Sequence, residues 1–186
     1  MAFTDGVIAI IITIMVLGLE APQEPSLAAL ERLAPIFFCY VLSFLYVAIY
    51  WNNHHHFYHL VHRVDGAMLW ANMHLLFWLS LIPFATRWVG MNHFSAIPTA
   101  VYGVALLMPA IAWYIMQAAI IHRQGPESPL AQAIGRDIKG RISPLLYLTG
   151  VVSAFIDTRI SDGVYVLVAL MWLIPDRRIE RMVGER

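Results

Sequence analysis

Three groups of residues in this 186-residue chain carry polar chemistry against an apolar background. The first lies in the run Phe3 to Leu19, where Thr13 is the only polar side chain in mid-segment. On a helix, residues three, four and seven apart share a face, so Ile10, Thr13, Ile14 and Leu17 form one stripe, extended inward by Gly6 and Val7. Thr13 has two readings. Its hydroxyl can bond back to its own helix, as Thr often does in membranes. Alternatively, several copies of the stripe can surround an axis, where apolar rings gate by dewetting and a Thr ring offers oxygens to a cation.

The second group is acidic. Asp5 stands near the start of the same run. There it can cap the helix and gain from its dipole, or it can join a polar network at the cytoplasmic mouth. The third group is basic and aromatic: His54, His55, His56, His59 and His62. If the helix continues, His55, His59 and His62 share a face. Zinc needs at least three protein ligands, and no nearby Cys or Glu completes a familiar pattern, although Asp65 follows. The other readings are a pH-responsive network, since His titrates near neutrality, and a plain interfacial stretch. Asn72 and His74 lie inside a later apolar run, where interhelical bonding is the default role. There is no Gly-rich phosphate loop, no nucleophile elbow and no HExxH zinc motif, so an enzyme is not expected.

The elements that must position these residues are membrane helices. Hydrophobic residues make up 60% of the chain and charged residues only 13%, about half the charged share of a soluble domain. Such a surface suits lipid. The length fits one domain spanning residues 1–186, and the zero formal net charge offers nothing to nucleic acid. Cys39 is the lone cysteine, which leaves no disulfide framework and no Cys-based metal site. The first run has no basic leader and no small-residue cleavage motif, so it reads as a mature helix.

Six apolar segments can be traced: Phe3 to Leu19, Leu33 to Asn53, Ala67 to Trp88, Ile97 to Ile121, Pro144 to Ile156 and Gly163 to Ile174. The first four reach or approach the length of a span, about 20 residues. The last two are short and read as spans extended by polar flanks, with a bilayer-thinning hairpin as the alternative. Pro35, Pro98 and Pro144 sit near segment starts, whereas Pro83 and Pro109 predict kinks. Tyr50, Trp51, Phe57, Tyr58, Trp88 and Trp172 mark the interfaces. With the N-terminus inside, nine Lys and Arg residues fall on the cytoplasmic side and three outside: Arg32, Arg87 and Arg159. That bias places both termini in the cytoplasm. The stretch Phe3–Val7 echoes Ile160–Val164, but the flanks differ, and helix capping accounts for both better than an inverted repeat.

Several stretches in this order resemble the transmembrane protein 175 family of lysosomal potassium channels and their bacterial relatives. They are Phe3-Thr4-Asp5-Gly6-Val7-x-Ala9-Ile10-x-x-Thr13, the Trp51 to His56 block, and Asn72 through Pro83-Phe84-Ala85-Thr86. The resemblance implies an all-α, polytopic cell-membrane protein of six transmembrane helices that assembles as a homotetramer. Its first helix would line a passive, potassium-selective pore without a carbonyl filter. Ile10 would be the narrow ring, Thr13 the polar ring one turn outward and Leu17 a further apolar ring, on the stripe that also holds Ile14. Thr4, Asp5, His54, His55, His56 and Asn72 would form the cytoplasmic-end polar network. The conducted ion would be potassium, with no cofactor and no bound metal. Two departures stand out. The family's Arg, four residues before the Phe, would precede Met1, so the expected partner of Asp5 falls outside residues 1–186. The family's usual Ser is Thr4 here. A proton-coupled secondary transporter using Asp5 and the histidines, and a metal-binding protein centred on His55, His59 and His62, are the alternatives.

Overall fold

In lipid, each backbone N–H and C=O must be satisfied within the chain, which restricts an apolar span to a helix or a closed barrel. The computed structural model is helical, and no strand occurs among the described residues. Those residues are 2–59, 61, 64–125, 127–128, 130–131 and 137–173. The helices are α1 (Ala2–Leu17), α2 (Leu27–Glu31), α3 (Ala34–His59), α4 (Gly66–Leu79), α5 (Ile82–Met91), α6 (Ala96–Gln124), α7 (Ile138–Ser153) and α8 (Thr158–Leu173).

Three stretches are long and apolar enough to cross a bilayer: α3 with 26 residues, Gly66–Met91 with 26 and α6 with 29. At helical rise, α1, α7 and α8, of 16 residues each, reach only about 24 Å against a hydrocarbon core of about 30 Å. The third predicted segment is broken rather than kinked. Ser80 and Leu81 interrupt it, and Pro83 falls in the first turn of α5, where its missing N–H costs nothing. Pro109 is carried inside an unbroken α6. Pro144, expected near a helix start, lies inside α7. That helix begins earlier because Asp137 caps it, accepting from the Gly140 amide at 2.8 Å. The last segment likewise starts at Thr158 rather than Gly163 and is described to Leu173, with Ile174 outside the described residues. The short α2 is a feature the apolar pattern did not suggest. Ser26 caps it, accepting from the Ala29 amide at 3.2 Å.

The core has two tiers. One joins Ile8, Ile11 and Met15 of α1 to Val47, Leu75, Leu79, Ala112 and Met116. The other joins Tyr46, Val89, Leu106, Tyr147 and Tyr165, from α3, α5, α6, α7 and α8. Helix α6 contributes to both tiers. Helix α1 packs only on the first, against α3, α4 and α5. Asp65 fastens two helix ends, capping α4 at the Met68 amide (2.9 Å) and pairing with Arg123 at the end of α6 (3.1 Å).

The approach of α5 to α3 requires Gly90. A Cβ there would stand 2.7 Å from the Cα of Ile36, and backbone cannot move aside as a side chain can. Gly90→Val should therefore destabilise the detergent-solubilised protein by about 1–3 kcal/mol. A lowered thermal-unfolding midpoint is the expected reading.

Candidate ion pore and its polar bracket

Helix α1 is apolar nearly all round, yet its two faces meet different surroundings. Thr4, Ile8, Ile11 and Met15 recur at spacings of four, three and four and are buried against the core. Ile10, Ile14 and Leu17 face the other way and are 59%, 51% and 71% exposed, with Thr13 exposed among them. The stripe expected to line a pore is thus the face of α1 that this subunit leaves uncovered. The Thr13 hydroxyl donates to the Ala9 carbonyl at 2.8 Å, as the back-bonding reading requires. The oxygen's remaining lone pairs are not consumed by that bond.

A buried hydrogen-bonded chain holds the N-terminal end of α1. The Asn72 amide donates to Thr4 Oγ1 at 2.9 Å, and its Oδ1 lies 2.8 Å from His54 Nε2. With the amide so oriented, His54 must carry its proton on Nε2, because an amide oxygen can only accept. All three residues are at least 94% buried, and the His54 ring stacks on Tyr58 at 4.4 Å. Helices α1, α3 and α4 are thereby joined through one side chain.

A second, more exposed chain runs beside it. Trp51 Nε1 donates to Asp5 Oδ1 at 3.0 Å. The carboxylate thus takes its hydrogen bond from α3 rather than from the amides of its own helix. The Trp51 ring lies 5.8 Å from that of His55, whose Nε2 is 3.1 Å from His59 Nε2. His56 is not hydrogen-bonded into either chain: its Nδ1 is buried without a partner. Trp51 reads from the sequence as an interfacial aromatic and as the start of the Trp51 to His56 block, without a stated partner; its place three residues before His54 and four before His55 is the available signal. His74 accepts from Trp78 one turn along α4 at 2.9 Å and takes no part. No group of three or more His, Cys, Asp or Glu residues is arranged to hold a metal among the described residues, and His62 lies outside them.

The family model for the endosomal/lysosomal potassium channel TMEM175 matches residues 1–83, the part that contains both chains and the exposed stripe. A Chryseobacterium sp. (strain P1-3) protein named as a potassium channel is 52% identical over 184 residues, spanning 99% of this chain and 96% of that one. The chain belongs to the TMEM175 family. A Streptomyces collinus relative, also named as a potassium channel, is 28% identical over 92% of this chain and 88% of its own. The crystal structure of a lysosomal potassium-selective channel TMEM175 homolog from Chamaesiphon minutus superimposes with a TM-score of 0.82 at 28% identity. That match covers 93% of this chain and 94% of the other. TMEM175 proteins are ion channels rather than enzymes, and the fold here is that of a TMEM175 channel.

Within this TMEM175 fold, Asn72 is the member of the buried chain with two protein partners. Asn72→Leu leaves Thr4 and His54 buried and unpaired, which should cost about 1–3 kcal/mol. Thr4→Val removes one acceptor only and should cost less. Thermal unfolding of the two variants in the same detergent checks that order.

Proposed function

We propose that the chain forms a homotetrameric, potassium-selective channel of the cell membrane, with a central pore lined by α1. The single observation that carries this reading is the uncovered stripe Ile10, Thr13, Ile14 and Leu17 on a helix whose opposite face is fully packed. One pore-lining helix per subunit makes a multimer necessary. The likeness to a potassium-selective channel and the potassium-channel relatives support the choice of ion.

In this reading, α1, α3, the broken α4–α5 pair, α6, α7 and α8 make six spans, with both termini cytoplasmic. Ile10 is the narrow ring. Rings of Ile and Leu hold water poorly at small diameter, so the constriction closes by dewetting when its radius shrinks. Thr13, one turn outward, offers oxygen to an ion that has lost part of its hydration shell. Thr4, Asp5, His54, His55 and Asn72 form the polar bracket at the cytoplasmic end, with His56 beside it but outside its hydrogen bonds, and set which face of α1 meets the axis. Potassium crosses passively, as the cargo of the pore.

Purified protein in liposomes should pass potassium down its gradient with no energy source added. Absence of flux from correctly assembled protein overturns the reading. Ile10→Asn wets the narrow ring and should raise the flux or weaken selectivity over sodium. Unchanged conductance and selectivity in that variant would remove Ile10 from the pore.

A further inference from the structure

Beyond Leu17 the chain tightens for two residues before it leaves the helix. The Gly18 amide bonds the Met15 carbonyl at 3.1 Å and the Leu19 amide bonds the Val16 carbonyl at 3.0 Å. This carries Glu20 to the outer end of the α1 stripe. The Glu20 side chain is 75% exposed, and Arg87 of α5 pairs with it, Nη2 to Oε1, at 2.5 Å. The Arg87 stem lies over Gly18, with its Cδ 3.9 Å from where a Cβ would stand. Arg87 also lines a groove of about 360 Å³ together with Ile14, Leu17, Leu19, Pro83 and Phe84. The same outer connection carries Glu24, paired with Arg32 at 2.7 Å, and an exposed Glu31. Three carboxylates against two guanidiniums leave this face of each subunit acidic.

We propose that Glu20 is the outer-mouth residue that concentrates cations for the pore, and that Arg87 attenuates it. This rests on the α1-lined pore described above. Glu20 belongs to the pore helix's own extension, whereas Arg87 reaches it from a helix packed behind. Around a common axis, the carboxylates then form the inner ring and the guanidiniums the outer one. An ion on the axis sits closer to the negative ring, and at low salt the field of that ring raises the local cation concentration. The ring need not touch the ion for this effect. The Debye length falls from about 30 Å at 0.01 M to about 3 Å at 1 M salt, so the effect should vanish in concentrated solution.

The test is unitary potassium conductance in planar bilayers at low and at high salt. In about 0.02 M potassium, Glu20→Gln should lower the current entering from the Glu20 side by about two-fold or more, and Arg87→Gln should raise it. Both variants should converge on the wild-type value at about 1 M. Glu20→Cys supplies a second measurement on one folded protein, because the native Cys39 is buried. An anionic thiol reagent should restore its low-salt current, and a cationic one should depress it further. The proposal is overturned if Glu20→Gln leaves low-salt conductance unchanged, lowers it equally at 1 M, or alters only the open probability. A wild-type protein that carries no current at either salt would overturn the channel reading itself.

Discussion

A helix that is apolar on every side receives no instruction from hydrophobicity about which way to turn. Helix α1 is such a helix, and in lipid both of its faces would be at ease. Its rotation is decided instead at one end, where Asn72 bonds Thr4 on one side and His54 on the other. An unpaired amide or hydroxyl in that dry position costs more than any single apolar contact along the helix gains. Once Thr4 faces α4, residues 8, 11 and 15 follow it into the core, and residues 10, 13, 14 and 17 are left outside. The candidate pore surface is thus a consequence of a bond made about two to four turns away from it.

The same logic recurs in the second tier of the bundle. Ser43 of α3 lies 2.9 Å from the Tyr102 hydroxyl of α6 and 2.7 Å from the Thr86 hydroxyl of α5, which itself donates to the Ile82 carbonyl. Tyr46 donates to the Tyr165 carbonyl, and Tyr165 donates to the Thr99 carbonyl at 3.3 Å. Where lipid and side chains are equally oily, such bonds and close glycine contacts do the orienting that water does for a soluble fold. Helix α1 has no share in this second tier. It is anchored at its N-terminal end and leans on apolar contacts for the rest of its length.

The readable parts of the chain were those governed by local rules. Apolar length located α1, α3 and α6, and Asn72 stood out because a polar group inside an apolar run demands a reason. The break at Ser80 and Leu81 was half legible, since Pro83 signalled a disturbance but not whether the helix would bend or stop. The starts of α7 and α8 were misjudged because their first turns are polar, and hydropathy is blind to a helix that protrudes from its apolar stretch. The Asp5–Trp51 bond was out of reach for another reason. It joins residues 46 apart in sequence, and no local rule specifies such a pairing. The resemblance placed Trp51 in a relevant block without saying what it held.

The bond from Thr13 to Ala9 has a consequence for electrical sign. A hydroxyl has one hydrogen, and here it points back along the helix. Whatever comes to the exposed side of Thr13 meets oxygen and no donor. In a ring of such groups, a potassium ion finds substitutes for the water oxygens that it has shed. A chloride ion finds nothing to replace the hydrogens that had faced it. In the proposed pore, rejection of anions at Thr13 would then need no fixed charge there, only a backbone carbonyl that keeps the hydrogen occupied.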